Sequence, residues 1–214
     1  ARRVFVDESS KATDRADSAR SSANWLYNAS LAVPVADALT AFVATTRGIE
    51  EAGTAPQNAA NRFEVLSPVL AVQSEVGVQW RPHERLRLIA TLFDIEKPEP
   101  GFDSQNVYRY LTTVTHRGIE ASISARLTER LSVLVGGAWL EPELQGDAVA
   151  GGRRGDRPVG RSAEIALASF KYEMPWPQGL SIDVDASYNG ARPTGVDNRF
   201  ETPGYTLINA GAPY

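Results

Sequence analysis

Ile119-Glu120-Ala121-Ser122-Ile123-Ser124-Ala125-Arg126-Leu127, followed by Leu131-Ser132-Val133-Leu134-Val135-Gly136-Gly137-Ala138-Trp139-Leu140, decides the fold. In the first segment every odd position is apolar and every even position polar. Successive side chains of a strand point to opposite faces, so this is a strand greasy on one face and wet on the other. The second segment returns after a tight turn at Thr128 and Glu129, which predicts a β-hairpin.

Outward from this hairpin the pattern repeats. Strands are predicted over 1–8, Trp25–Val33, Leu39–Thr46, Ala71–Trp80, Leu86–Glu96, from near Val107, Ala163–Glu173, 181–188 and Tyr205–Ala212. In Ala71–Trp80, Val72, Val76, Val78 and Trp80 share one face, with Gln73, Glu75, Gly77 and Gln79 on the other. Tight turns are predicted at Pro34–Asp37, Arg81–Glu84, Thr128–Glu129 and Pro175–Gly179. Long loops are predicted over Glu8–Asn24, Arg47 to about Leu70, from Lys97-Pro98-Glu99-Pro100-Gly101, Glu141 to about Arg157, and Gly190–Pro203. Short and long connections alternate, and the tight turns recur at a spacing of roughly 46–48 residues.

A period of that size must be tested as a repeat. A propeller blade would fit four short strands into it, whereas each period here holds two strands of about ten residues and one long loop. About 9–11 residues suffice for a tilted strand to cross a bilayer, and short turns on one rim with long loops on the other mark an outer-membrane barrel. Trp25, Trp80, Trp139 and Trp176 fall at or beside the predicted strand ends, as expected of an interfacial girdle. The competing reading is a soluble sandwich, which needs a second layer to cover the apolar face.

Composition narrows the classes further. The 214 residues carry a formal net charge of −4, no cysteine and two histidines. No basic surface for nucleic acid follows, nor thiolate chemistry, and His83 and His116 are too few for a zinc site. No apolar run approaches a membrane helix, which says nothing against spanning strands. The chain opens in mid-strand, Arg-Arg-Val-Phe-Val, with no signal peptide, and is expected to be a fragment.

Several segments carry a resemblance: Thr46-Arg47-Gly48-Ile49-Glu50 leading to Gln73-Ser74-Glu75-Val76-Gly77-Val78, Leu92-Phe93-Asp94-Ile95-Glu96-Lys97-Pro98, His116-Arg117-Gly118-Ile119-Glu120, Arg157-Pro158-Val159-Gly160, and Pro203-Gly204-Tyr205-Thr206-Leu207-Ile208-Asn209-Ala210-Gly211. In this order and at these spacings they resemble TonB-dependent outer-membrane receptors, especially the ferric-siderophore type. The resemblance implies an all-β, antiparallel, up-and-down transmembrane barrel of about 22 strands closed around a plug. Residues 1–214 would form one partial barrel domain of about 8–10 strands, lacking the plug and the terminal strands. The tight turns would face the periplasm and the long loops outward. The implied partners are a ferric siderophore or similar chelate, outer-membrane lipid and, through the plug, the TonB energy-transducing complex. Iron would enter only within the transported chelate, with no cofactor. Cobalamin, heme and glycan importers share the architecture.

On this reading Arg47, Gln57, Asn58, Arg62 and Phe63 sit in the longest outward loop, and Arg153 and Arg154 in a glycine-flanked one. Guanidinium forks suit the oxygens of an anionic chelate, though loop arginines also serve as solvated residues or lipid-phosphate partners. Tyr108 and Tyr110 fit an interfacial belt better than a stacking site. Asp183 and Asp185 share a face, but i and i+2 carboxylates on a strand are common, and lining a watery lumen explains them better than glycosidase chemistry. No nucleophile elbow, phosphate loop or metal cluster appears. The competing functions are a small passive or structural outer-membrane barrel and, less favoured, an outer-membrane hydrolase.

Overall fold

The computed structural model describes residues 2–10, 18–51, 53–177 and 179–214, with side chains from residue 24 onward. Ten strands form one antiparallel sheet: β1 (Arg2–Ser10), β2 (Ser18–Ala36), β3 (Leu39–Glu50), β4 (Val69–His83), β5 (Leu86–Phe102), β6 (Tyr108–Arg126), β7 (Leu131–Gln145), β8 (Glu164–Glu173), β9 (Ser181–Asn189) and β12 (Tyr205–Gly211). Each pairs with its neighbours in chain order, an up-and-down arrangement that stays open between β1 and β12. A one-turn helix, α1 (Asp147–Ala150), follows β7, and β10 (Arg192–Pro193) with β11 (Glu201–Thr202) makes a separate small hairpin.

The cross-strand register sorts the two faces. On one, Val43, Val76, Leu92, Ile119 and Trp139 lie side by side across five strands. Two residues nearer the tight turns runs Ala41, Val78, Ala90, Ala121, Gly137, Ala166 and Tyr188, and below it Leu39, Trp80, Leu88, Ile123, Val135, Ala168 and Ala186. Among the described residues nothing covers this band: Leu92 is 56% and Val76 52% exposed. On the long-loop side the band ends abruptly, at the rank Thr45, Ser74, Asp94, Arg117 and Glu141, where Arg117 Nε donates to Asp94 Oδ2 at 2.6 Å.

The opposite face is concave and mixed. Its ranks include Thr46, Gln73, Ile95, His116 and Pro142, then Ala44, Glu75, Phe93, Gly118 and Leu140. Phe42 lies over Gly77, and Phe93 over Gly118, each the direct cross-strand partner. The missing Cβ is what lets each ring lie flat on the adjacent strand.

Several boundaries differ from expectation, mostly in one direction: strands run further than their hydrophobic period. β2 and β6 reach 19 residues and β5 17, well beyond the 9–11 needed to cross a bilayer. The loop expected over Glu8–Asn24 is largely strand, with β1 and β2 paired from Arg2↔Leu26 to Ser10↔Ser18; residues 11–17 lie outside the described residues. Lys97–Gly101 belongs to β5, with a register shift at Glu99/Pro100, and only residues 103–107 separate it from β6. The prolines fit because β4 pairs with β5 only up to Glu96, so beyond it β5 has a free edge that needs no N–H. β7 likewise continues past Glu141 to Gln145. On these prolongations period-two alternation fades while the backbone ladder still pairs the strands. At the other end, Pro34 and Pro82 sit in strand beside irregular register, moving the turns to Asp37-Ala38 and Glu84-Arg85.

Candidate functional site

Apart from Ser181, beside the β8–β9 turn, the buried side chains of the described residues gather at the long-loop end. Val114 and Leu144, cross-strand partners on β6 and β7, are the most deeply buried large ones. Ala55, Ala59, Val65, Leu66 and Val69, from the β3–β4 connection or the start of β4, are buried too, as are Thr112, Thr115 and Ser162. The loops thus fold down onto the prolonged strands rather than trailing in solvent.

Asparagines at special positions tie this layer together. Asn61 Nδ2 donates to Tyr108 O (2.9 Å) while Asn61 Oδ1 accepts from Tyr108 N (2.8 Å), a two-way clasp between the β3–β4 connection and β6. Asn106, at φ 60, donates to Asn58 O at 2.7 Å and accepts from Ala60 N at 2.8 Å. Tyr110 OH donates to Ser67 O at 2.6 Å, so this tyrosine works as a loop anchor. Asn198, at φ 55, clasps Arg157 in both directions at 2.9 Å, and Arg157 also pairs with Glu201 at 2.6 Å. Short polar side chains tolerate the left-handed region and satisfy neighbouring backbone groups.

Asp103 organises the β5–β6 tip. Its carboxylate accepts from Gln105 N and Val107 N, both at 2.9 Å, and from Arg109 Nε at 2.8 Å. The Val107 amide above all holds this carboxyl below the usual aspartate range, helped by the Gln105 amide and Arg109.

The sequence-derived candidates separate in space. Gln57, Asn58, Arg62 and Phe63 do lie in the β3–β4 connection with exposed side chains, Phe63 at φ 64. Arg47, expected in the same loop, is a β3 residue: it pairs with Tyr27 and Val72 and lies on the apolar-band face, beyond the band's polar edge. Its Nε is buried without a partner among the described residues. Arg153 and Arg154 follow α1, but their surroundings differ. Arg154 is largely buried and ion-paired with Glu99, which fastens this loop to β5. Arg153 stays exposed and lines a 410 Å³ cleft with Phe102, Tyr108, Leu111 and Val196. The Phe102 and Tyr108 rings meet there at 5.1 Å between centroids. A second cavity of 570 Å³ on the concave face is lined by Lys97, His116, Arg161 and Arg192, among others, with Lys97 paired to Glu50 at 2.8 Å.

Of these features, the asparagine clasps and the aromatic pair escaped the sequence reading. The only signal for them was Asn in loops, which is too common to select a site. The tryptophans also need correction: Trp25 and Trp139 stand well inside β2 and β7, because those strands outrun the expected ends. Trp139 instead marks the edge of the apolar band, Trp80 lies near the turn end of β4, and Trp176, in the β8–β9 turn, is 79% exposed.

Comparison with known proteins bears on what this assembly is. The family model for the TonB dependent receptor-like β-barrel matches residues 2–214. Among solved structures, the ferric preacinetobactin receptor BauA of Acinetobacter baumannii superposes with a TM-score of 0.74 at 22% identity, over 98% of this chain and 32% of that one. The siderophore receptor PiuA of the same organism gives 0.74 at 17% identity, over 97% and 32%. The ferric yersiniabactin uptake receptor FyuA of Yersinia pestis gives 0.72 at 14%, over 91% and 30%. The chain therefore spans about a third of the length of these structures. No match was found among curated protein sequences. The ten-stranded open sheet, its uncovered apolar band and its interlocked loops are thus part of a barrel wall, and the chain belongs to the TonB-dependent receptor-like β-barrel family.

Proposed function

We propose that the chain is part of the barrel wall of a bacterial outer-membrane receptor that imports ferric siderophores. The observation that carries the reading is the pairing of an uncovered apolar band with a folded loop layer at one end of the same strands. Hydrocarbon takes the band; water takes the loops, where Arg62 and Arg153 present guanidinium groups to an anionic chelate. Gln57, Asn58 and Phe63 flank that entrance. Arg154, held by Glu99, positions the loop that displays Arg153. Arg47, at the polar margin of the band, suits the outer leaflet boundary better than the vestibule. Trp80, Trp139 and Trp176 form the interfacial girdle, whereas Trp25, expected in it, lies further along β2 past the band's polar rank.

Residues 1–214 act as one partial barrel domain within a receptor whose plug engages the TonB complex. Capture by the loops precedes plug rearrangement, and no covalent step is involved. Iron is cargo inside the chelate. The test is uptake of ⁵⁵Fe-siderophore by cells whose only receptor carries this chain. Uptake that saturates and disappears without TonB supports the reading. Uptake that is linear in concentration and independent of TonB supports a passive barrel instead.

A further inference from the structure

We infer that the cargo is a ferric catecholate, and that the cleft between the β5–β6 tip and the loop after α1 takes one of its aryl arms. This rests on the ferric-chelate reading above and adds the chemical class. The cleft holds 410 Å³, and Pro100, Phe102, Tyr108, Leu111, Ala148 and Val196 give it mostly apolar walls. Phe102 is 41% exposed, and its ring meets that of Tyr108 at 59°. The two make a tilted corner against which a third ring can pack. Most charge on these walls is already committed. Asp103 accepts from the Gln105 and Val107 amides and from Arg109, and Arg154 is ion-paired with Glu99. Arg153 stays exposed, with no carboxylate partner among the described residues.

A single uncommitted cation beside an aromatic corner discriminates between chelate classes. A catecholate arm is a flat ring, and its iron-bound oxygens keep net negative charge, because three doubly ionised arms outweigh one ferric ion. The ring packs on Phe102 and Tyr108 while the oxygens meet the Arg153 guanidinium. A hydroxamate arm has no ring, and three singly ionised arms neutralise the iron, which leaves Arg153 nothing to attract. A polycarboxylate sets several charged oxygens against apolar walls with one guanidinium to pair them, and burial penalises the remainder.

The test is a binding titration of the intact receptor, purified in detergent, with ferric tris-catecholate, a ferric trihydroxamate and ferric citrate. The catecholate is expected to bind about 10-fold tighter than either of the others. Arg153→Gln should weaken it about 10-fold. Phe102→Leu and Tyr108→Leu should each weaken it about 2- to 10-fold. Tyr108→Phe, which keeps the ring, should leave it unchanged. Resistance of each variant's barrel to unfolding in SDS before heating reports that it has folded. Trihydroxamate or citrate binding as tightly as the catecholate overturns the inference and leaves the ferric-chelate reading standing. So does catecholate binding that ignores the Arg153, Phe102 and Tyr108 variants, which would place the arm elsewhere. Binding of none of the three chelates overturns both.

Discussion

The middle of the sheet and its long-loop end use the same backbone ladder but opposite means of stabilisation. In the middle, Leu92, Val76 and Ile123 are exposed and make no core of their own. At the loop end, on continuations of the same strands but on the opposite, concave face, Val114 and Leu144 are sealed by loops. The difference teaches where the solvent changes. A strand whose apolar face meets hydrocarbon needs only alternation. On the concave face, past the rank of His116 and Pro142, apolar side chains are covered by protein, and the chain supplies that cover as loops clasped by Asn61, Asn106 and Asn198.

Substitutions should therefore act differently in the two regions. Leu144→Ala, which empties a sealed site, should destabilise the loop end by about 2–5 kcal/mol, whereas Leu92→Ala, whose side chain meets lipid, should cost clearly less. Urea titration of receptor folded into vesicles reads both, and equal costs would erase the contrast. On the band itself, Ala121→Arg should cost about 2–4 kcal/mol in a bilayer, and Ser124→Arg on the opposite face much less. Next in size, Asn61→Ala removes both halves of the clasp with Tyr108 and should cost about 1–3 kcal/mol. Its signature is faster amide exchange at Tyr108 with no change in mid-sheet strands.

The smallest expected effect is a pH response at the β5–β6 tip. Asp103 has a folded-state pKa below its ordinary value, so the unfolded tip binds a proton more readily than the folded one. Its contribution is complete above the ordinary aspartate range and is lost as pH falls through the depressed value. Val107 amide exchange should therefore accelerate on acidification relative to the sheet, and Asp103→Asn should abolish that dependence.

How much was legible follows the same boundary. The hairpin at Thr128–Glu129, the face assignment of Val72 to Trp80 and the alternation of turn and loop ends could be read because lipid imposes a strict two-residue period. Beyond the band the period dissolves, so Lys97–Gly101 and Glu141–Gln145 read as loop although they are paired strand. Arg47 reads as a loop residue for the same reason, although it is paired on both sides within β3. Arg153 and Arg154 look equivalent in sequence. Only Glu99, 55 positions before Arg154, distinguishes them.

The most direct test is a spin-label scan of β6 in a bilayer. The chain has no cysteine, so single Cys substitutions from Ile119→Cys to Ala125→Cys give unique labels. Labels at 119, 121, 123 and 125 should collide preferentially with membrane-dissolved oxygen, and those at 120, 122 and 124 should not. If the odd positions prove shielded from oxygen, or both sets respond alike, the apolar band does not face lipid and the account is wrong.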